Sequence, residues 1–254
     1  MRALVGVKRV LDYSIKARVK ADKTGIEKTN VKMSINPFCE IAIEEAIRLK
    51  EKKILGHISA LSIGEKACSE TIRHALALGA DDGLHVLTNM PTDTVLQPLT
   101  VAKIFKKIVE EHKYDIVLLG KQAIDDDFNQ TAQILSAMLN WPIANFASSI
   151  AKKSENEFEV MREVDSGLQK ILVNSPCVIS CDLRLNTPRY SSLKNITAAK
   201  KKPIKEIKIE DLKIETEPRI KILEVNEPPQ RKAGVKVKDV DELIEKLKNE
   251  AKMI

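Results

Sequence analysis

Residues 116–133, which read IVLLGKQAIDDDFNQTAQ, decide the fold class of this chain. The first four residues are a short apolar run, which predicts a buried strand. Gly120 follows, where the backbone can turn sharply, and a polar segment then leads to an apolar pattern of helical spacing at Ile134, Leu135 and Met138. A strand, a polar turn and a helix start together form the crevice in which open α/β sheets bind ligands, beyond the carboxyl end of the strand.

The polar loop in this stretch has two interpretations. In the structural interpretation, the aspartates at 125–127 cap the following helix and favour its positive end. In the ligand-binding interpretation, Asn129, Gln130 and Thr131 hydrogen-bond a nucleotide phosphate at the helix N-terminus while the acids orient the loop. A magnesium site is disfavoured because consecutive aspartates point in different directions. A Walker loop is excluded because the second glycine and the Gly-Lys-Ser/Thr ending are missing.

Strand and helix patterns alternate over the first 140 residues or so, which predicts a doubly wound, mostly parallel α/β sheet. The predicted strands cover residues 2–10, 57–62, 83–87 and 116–119, and the predicted helices begin at Asn36, cover about 65–78 and 94–112, and follow Thr131.

Two features near the N-terminus bear on the crevice. Gly6 lies inside the first predicted strand, where a glycine indicates either a closely packed helix or a ligand near the backbone. Asn36-Pro37 predicts a helix start, because asparagine caps free amides and proline suits the first helical position. Between them runs a long polar connection, residues 11–35, with a turn at Lys23-Thr24-Gly25. Loops of that length are more often functional than idle.

The pattern changes after Trp141-Pro142. Residues 158–164 and 168–173 predict a hairpin, and residues 176–181 predict another strand. From Arg184 onward five prolines favour an extended arm, which closes with an amphipathic helix at roughly residues 240–251. We therefore predict an α/β nucleotide-binding domain at residues 1–183, followed by a loop and C-terminal arm at 184–254.

Composition limits the classes of function. Hydrophobic residues make up 43% and charged residues 31%, and no apolar run suggests membrane insertion, so a soluble globular protein is expected. No secretory or arginine-rich transit peptide is predicted. The four cysteines form no Cys-x-x-Cys pair and no cluster with histidines, so no metal site is expected.

The net charge is unevenly distributed along the chain. From Arg184 to the end there are 18 basic and 12 acidic residues, which account for the whole net charge of +6 and suggest a charged partner surface. Nucleic acid is disfavoured by an aromatic content of 4%.

Stretches along nearly the whole chain resemble the β-subunit of electron transfer flavoproteins, in the order of that family. The strongest is the loop LLGKQAIDDDFNQTAQ at 118–133. The others are LVGVKR at 4–9, NPFCE at 36–40, ETIR at 70–73, ALGAD at 77–81, DLRLN at 182–186, PRY at 188–190, PPQR at 228–231 and AGVK at 233–236.

The resemblance implies a Rossmann-like fold of the adenine-nucleotide-binding type. It also implies an electron-carrier subunit without its own catalytic residues, with AMP in this chain and FAD held mainly by an α-subunit. Neither the Gly-x-Ser-x-Gly elbow of hydrolases nor the Gly-x-Gly-x-x-Gly motif of dehydrogenases occurs in the sequence. The implied AMP-binding residues are Gly6, Asn36, Pro37, Phe38, Cys39, Ser62, Ile63, Gly120, Gln122, Ala123, Asp126, Asn129, Gln130 and Thr131.

Other implied roles concern the flavin and the partners. Tyr13 and Phe38 would lie near the FAD, although the helical spacing of Phe38 alone indicates a core residue. Glu163 would influence the position of the mobile FAD-bearing domain of the α-subunit, although charge on a hairpin more often marks an exposed face. The C-terminal arm would wrap around the α-subunit.

Residues 190–205 are similar to the recognition loop of the family, although by pattern alone they are a solvated loop. Leu193 would enter a pocket on acyl-CoA dehydrogenases, and the basic rim would raise the rate of association. Ala198 and Ala199 stand where animal members are richer in lysine, near sites of lysine methylation. The docking surface would comprise Arg189, Tyr190, Leu193, Lys200 and Lys201.

Electrons would then pass from acyl-CoA dehydrogenases through FAD to a quinone oxidoreductase, in the mitochondrial matrix of a eukaryote or the cytoplasm of a bacterium. One alternative keeps the family but places a second FAD where AMP would sit, as in bifurcating relatives. The other is an unrelated ATP-binding α/β protein of the stress type. That protein would need a phosphate loop such as Ser-Gly-Gly-x-Asp, which the sequence lacks.

Overall fold

The computed structural model describes residues 1–92, 94–230 and 233–254, so Arg231 of the PPQR stretch lies outside the described residues. After three opening strands, helices and strands alternate to residue 139. In chain order the elements are β1 (Arg2–Gly6), β2 (Arg9–Leu11), β3 (Met33–Ile35), α1 (Pro37–Glu51), β4 (His57–Gly64), α2 (Cys68–Leu78), β5 (Asp82–Leu87), α3 (Pro98–His112), β6 (Ile116–Gly120), α4 (Thr131–Leu139), β7 (Ile143–Lys152), β8 (Glu157–Val164), β9 (Gly167–Asn174), β10 (Cys177–Cys181), α5 (Leu193–Ala199), β11 (Ile204–Lys208), a 3₁₀ helix (Ile209–Leu212) and α6 (Val240–Asn249).

Nine strands form one sheet in the order β11-β5-β4-β1-β6-β10-β7-β8-β9. All neighbours are parallel except β8, which runs antiparallel to both β7 and β9. The chain runs outward from β1 through β4 to β5, and β6 then returns to the other side of β1. The predicted doubly wound, mostly parallel α/β fold is confirmed, and its switch point lies between β1 and β6.

Alternating side chains of the central strands fill two separate cores. In β6, Ile116 and Leu118 pack in the core that contains α1 and α2, whereas Val117 and Leu119 pack in the core that contains α3 and α4. All four are buried, since helices cover both faces of the sheet. This double covering explains why a parallel strand reads as a continuous apolar run.

Several predicted boundaries were wrong. The first strand was expected to reach Val10, but β1 ends at Gly6 and the next residues form β2, which pairs with β3 in a separate antiparallel sheet. Val7 and Val10 are both buried, so hydrophobicity could not show the change of sheet. The third helix begins at Pro98 instead of residue 94, because proline suits the first helical position. The second begins at Cys68 instead of residue 65.

The hairpin predicted around residues 165–167 is confirmed by the antiparallel pairing of β8 and β9. Strand β7, which joins this hairpin to β10, was not predicted. Its sequence, IANFASSIAK, mixes small and polar residues and shows no sustained alternation.

The C-terminal segment contributes one strand to the sheet before it becomes an extended arm. β11 pairs in parallel with β5 at the edge of the sheet, and Ile209 and Leu212 behind it are buried. Its pattern, IKEIK, is half exposed and gave no strand signal. Further on, the Gln97 side chain accepts from the amide of Arg219 (2.7 Å), which holds the arm against the start of α3. The predicted closing helix is confirmed as α6, and none of its ten residues, all of them described, is buried.

Arg189 ties the segment after β10 to α1. Its guanidinium donates to Glu44 (Nε–Oε2, 2.8 Å) and Glu51 (Nη1–Oε1, 2.6 Å). The Glu44 side chain is only 2% exposed and also accepts from Arg48. Burial raises the pKa of Glu44, but the two guanidinium groups outweigh burial and hold that pKa below its usual range.

We expect Arg189→Met to lower the free energy of unfolding by about 2 kcal/mol at neutral pH, because it removes a main partner of a buried carboxylate. A lowered carboxyl pKa contributes stability above the ordinary pKa, and this contribution is lost as the pH falls through the lowered value. The deficit should therefore shrink below about pH 4. Urea unfolding at acid and neutral pH measures it, with exposed Lys194→Met as the control. An equal deficit at both pH values would exclude the ion pair as its cause.

Candidate functional site

A cleft opens at the switch point, beyond the carboxyl ends of β1 and β6. Its non-atom space of about 810 Å³ includes open solvent. Eleven of the fourteen residues predicted to bind AMP line it, and these are Gly6, Asn36, Cys39, Ile63, Gly120, Gln122, Ala123, Asp126, Asn129, Gln130 and Thr131.

The structure does not place the other three on this wall. Ser62 is buried in β4 between Leu61 and Ile63, which do line the cleft, so its side chain points to the opposite face of the sheet. Phe38 is 9% exposed and packs against Gly120. Pro37 lines a second cleft, described below.

Asn36 clamps the loop that follows β6. Its Nδ2 donates to the carbonyl oxygen of Gln122 (2.8 Å), and its Oδ1 accepts from the amide of Ile124 (3.2 Å). The prediction that this side chain caps α1 was wrong, since within the described residues it makes no capping bond to that helix. Asn36 is only 1% exposed, and the two loop groups satisfy its amide. Its role at the site is thus to hold the loop.

Lys8 is a residue of the site that the sequence analysis did not single out. Its Nζ lies 2.8 Å from Oδ1 of Asp125 and 2.7 Å from Oδ2 of Asp126. Burial lowers the pKa of Lys8, but the two carboxylates outweigh burial and raise it above its ordinary value. The only available signal was its position, because Lys8 follows β1 and the acids follow β6, the neighbouring strand.

The contacts of the aspartates test the structural interpretation, in which they cap the following helix. Helix α4 begins at Thr131, and within the described residues it has no side-chain cap and no acid in its first turn. Asp125 and Asp126 bind Lys8, and Asp127 accepts from the side chain of Gln122 (2.8 Å). The helix-capping interpretation was therefore wrong, and the acids shape the loop.

The glycines that end β1 and β6 permit close approach of neighbouring elements. A Cβ on Gly6 would lie 2.5 Å from Cδ2 of Leu119 and 2.8 Å from Cζ of Phe105 on α3, so the tight-packing interpretation of this glycine holds while its backbone lines the cleft. A Cβ on Gly120 would lie 2.7 Å from Cβ of Phe38 and 2.9 Å from the amide nitrogen of Cys39. Gly120 therefore lets α1 contact the start of the loop.

The cleft has an apolar and a polar half. Apolar side chains from the sheet and α3, among them Leu61, Ile63 and Phe105, form one wall. The loop after Gly120 and the N-terminus of α4 form the other, where a helix terminus favours an anion. This division suits a ligand with a flat ring at one end and a phosphate at the other.

The ionisable residues among the described lining are Lys8, Asp126, Lys121 and Cys39. Lys8 and Asp126 pair with each other, and Lys121 pairs with Asp182 (3.0 Å). Burial raises the pKa of the Cys39 thiol, which keeps it protonated and a poor nucleophile. The acid and the two lysines of the described lining are thus engaged in ion pairs, and the thiol is protonated.

The residues predicted to face the flavin lie elsewhere. Tyr13 is 79% exposed and lines the second cleft with Pro37, Glu40 and His74, whereas Phe38 is not part of that lining. Glu163, on β8, forms an ion pair with Arg184.

The predicted docking residues lie on and around a short helix, α5, where a loop was expected. Leu193 is its first residue and is 84% exposed, and Tyr190 is fully exposed. Lys200 and Lys201 are exposed as well. Arg189 is instead bound to Glu44 and Glu51 within the chain.

Fold and cleft together define a doubly wound α/β protein with a cleft at its switch point. Residues 24–212 match the family model of the electron transfer flavoprotein domain. The chain is 54% identical to the mitochondrial electron transfer flavoprotein subunit beta of Arabidopsis thaliana, over 100% of both chains. It is 51% identical to the corresponding subunit of Bos taurus, over 98% of this chain and 97% of that one, and 53% identical to that of Bradyrhizobium diazoefficiens, over 99% of each.

The chain therefore belongs to the electron transfer flavoprotein family, as a β-subunit, and its role lies in electron transfer. The resemblance noted in the sequence is thereby confirmed, and the unrelated ATP-binding alternative is excluded. Of the helices formed by the described residues, none has the length and apolar content needed to cross a bilayer.

Proposed function

We propose that this chain pairs with an α-subunit in a heterodimeric electron transfer flavoprotein and binds AMP as a structural cofactor. The α-subunit would hold most of the FAD. Electrons would enter from acyl-CoA dehydrogenases and leave to a quinone oxidoreductase, in the mitochondrial matrix or the bacterial cytoplasm according to the source. The observation that carries the AMP assignment is the cleft at the switch point, with its pre-shaped loop and its apolar wall.

The residues present fit AMP. The N-terminus of α4, together with Gln130 and Thr131, would hold the phosphate, and the wall formed by Leu61, Ile63 and Phe105 would hold the adenine. Lys8 and Asn36 would keep the loop in its binding conformation before the nucleotide arrives, which reduces the entropy lost on binding. AMP supplies no redox chemistry in this position, and its contribution would be to the stability of the crevice.

Nucleotide analysis of the complex tests this assignment. The chain would be co-expressed with its α-subunit, the heterodimer purified and denatured, and the released nucleotides separated by chromatography. We expect one FAD and one AMP per heterodimer. Asn36→Leu should lower the AMP content, whereas Ser62→Ala, a change outside the cleft wall, should leave it intact. Two FAD and no AMP would show the bifurcating type instead, and a heterodimer with one FAD and no AMP would refute the AMP site.

On the flavin side, the exposed ring of Tyr13 would contact the FAD of the partner across the second cleft. Phe38 is buried, so its influence would pass through its packing against Gly120. Glu163 would meet the mobile flavin domain while sharing its charge with Arg184.

The docking function is supported by the exposure of α5. Tyr190 and Leu193 are large apolar side chains that the described part of this chain leaves uncovered, and Lys200 and Lys201 place positive charge beside them. An apolar anchor with a charged rim is an arrangement that binds partners specifically and associates quickly.

We expect Leu193→Ala to raise the KM for acyl-CoA dehydrogenase by about tenfold or more, as loss of an anchoring side chain does. Reduction of the flavin by dithionite should be unchanged, because it does not require docking. Leu172→Ala, which alters another exposed leucine (59%) on β9, is the matched control once the heterodimer is shown to be intact. An unchanged KM for Leu193→Ala would refute the docking assignment.

A further inference from the structure

The C-terminal ends of α2 and α5 are joined by two basic side chains, each of which donates to carbonyl oxygens at the end of the other helix. From α2, Nη1 of Arg73 donates to the carbonyl oxygens of Ala199 (2.7 Å) and Lys202 (2.5 Å), at the end of α5. From just beyond α5, Nζ of Lys202 donates to the carbonyl oxygens of Leu76 (3.0 Å) and Ala80 (2.5 Å), at the end of α2. The last carbonyl groups of a helix lack partners within the helix and carry partial negative charge. Each helix thus receives its closing cation from the other.

These contacts lie where α5 packs against the rest of the protein. Six of its seven residues are exposed, and Ala199, the last, is 2% exposed against α2. Because α5 has little other packing, the direction in which it points depends on how its C-terminal end is held. Arg73 and Lys202, the reciprocal clamp, hold that end from both sides.

We propose that Arg73 and Lys202 are positioning residues for recognition of the dehydrogenase, because the reciprocal clamp fixes the direction in which α5 presents Leu193. This inference rests on the proposed docking function. It also divides the run of three lysines at 200–202 into two kinds. Lys200 and Lys201 are exposed and would face the partner, whereas Lys202 turns inward to α2 and would add no charge to the docking surface.

Steady-state kinetics of the heterodimer with an acyl-CoA dehydrogenase distinguishes the two kinds of lysine. We expect Lys202→Met to raise KM about fivefold with kcat unchanged, and to leave the dependence of KM on salt as in the wild type, because no charge leaves the interface. The matched control, Lys201→Met, removes an exposed charge and should flatten the salt dependence. Arg73→Met should behave like Lys202→Met, and Arg73→Lys should restore part of the KM because it keeps a donor near Ala199.

Two further measurements separate positioning from general loss of structure. Hydrogen exchange should quicken in residues 193–199 of Lys202→Met and stay unchanged in α4, with AMP and FAD contents intact. In the double variant Leu193→Ala/Lys202→Met, KM should equal that of Leu193→Ala alone. Once the leucine has been removed, the direction in which α5 points no longer affects its contact with the dehydrogenase.

Different outcomes refute the reciprocal clamp and the docking function. If Leu193→Ala raises KM but Lys202→Met flattens the salt dependence as Lys201→Met does, the clamp is wrong and docking stands. Additive effects of Leu193→Ala and Lys202→Met on the free energy of binding would also overturn the clamp. If Leu193→Ala leaves KM unchanged, the docking function fails and the clamp has no role in recognition.

Discussion

Gly120→Ala is expected to lower the free energy of unfolding by about 3 kcal/mol, which for a chain of this size lowers Tm by about 6–12 °C. The added Cβ would lie within 2.9 Å of three atoms, Cβ and the carbonyl carbon of Phe38 and the amide nitrogen of Cys39. Two of the three belong to the backbone of α1, which cannot move aside as a flexible side chain can. The helix must shift away from the end of β6, and the loop that begins there shifts with it.

The AMP content of the purified heterodimer should fall in the same variant, because Asn36, which clamps the loop, lies directly before α1. Thermal unfolding and nucleotide analysis measure the two effects. Gly25→Ala is the matched control, since a Cβ there meets no atom within 4 Å. If Gly120→Ala unfolds at the wild-type temperature and retains AMP, the close approach of α1 does not constrain this position.

Lys8→Met is expected to destabilise the protein by about 2–3 kcal/mol at neutral pH, since it leaves Asp125 and Asp126 partly buried without their cation. The figure is below that of a fully buried pair because the Lys8 side chain is 24% exposed. Repulsion between the two carboxylates should open the loop and lower AMP retention.

The effect of Lys8→Met should depend on pH. Burial raises the pKa of Asp125 and Lys8 opposes that rise, so removal of Lys8 raises the pKa further. A carboxyl whose folded pKa is raised contributes stability below its ordinary pKa and loses it as the pH rises through the raised value. The deficit of the variant should therefore be small near about pH 4 and large at neutral pH. The raised pKa of Lys8 itself affects stability only in the alkaline range.

Urea unfolding across this pH range measures the deficit. The triple variant Lys8→Met/Asp125→Asn/Asp126→Asn should recover most of the lost stability, because the loop then carries no unpaired charge. A deficit that persists in the triple variant, or that does not vary with pH, would show that Lys8 acts through packing of its hydrocarbon stem.

Local patterns were sufficient to predict the fold class and a crevice beyond the strand at 116–119. The apolar run there ends at Gly120, as predicted, whereas Gly6 was placed inside the first strand and in fact ends it. Helix starts marked by proline or by a change of period were found to within a few residues. These signals are carried by neighbours in sequence.

The contacts that shape the site could not be predicted, because they join residues far apart in sequence. Lys8 meets Asp125 across 117 positions, and Asn36 meets Gln122 across 86. Each depends on β1 and β6 lying side by side, which composition and periodicity do not reveal. Strand β11 was missed for the same reason. Its sequence is half exposed, and the segment forms a strand because it pairs with β5 at the edge of the sheet.

The segment between β10 and β11 has an evolutionary consequence. It leaves the sheet beside β6, crosses α1 and α2, where Arg189 and Arg73 hold it, and rejoins the sheet at the far edge. The cleft at the switch point is built largely from the loop after β6 and from α3 and α4, in the other core. Residues 190–198 can therefore diverge between these two attachment points without disturbing the cleft. On the docking function proposed for α5, a lineage that replaced this one continuous segment would acquire a new set of electron donors and inherit the rest of the subunit unchanged.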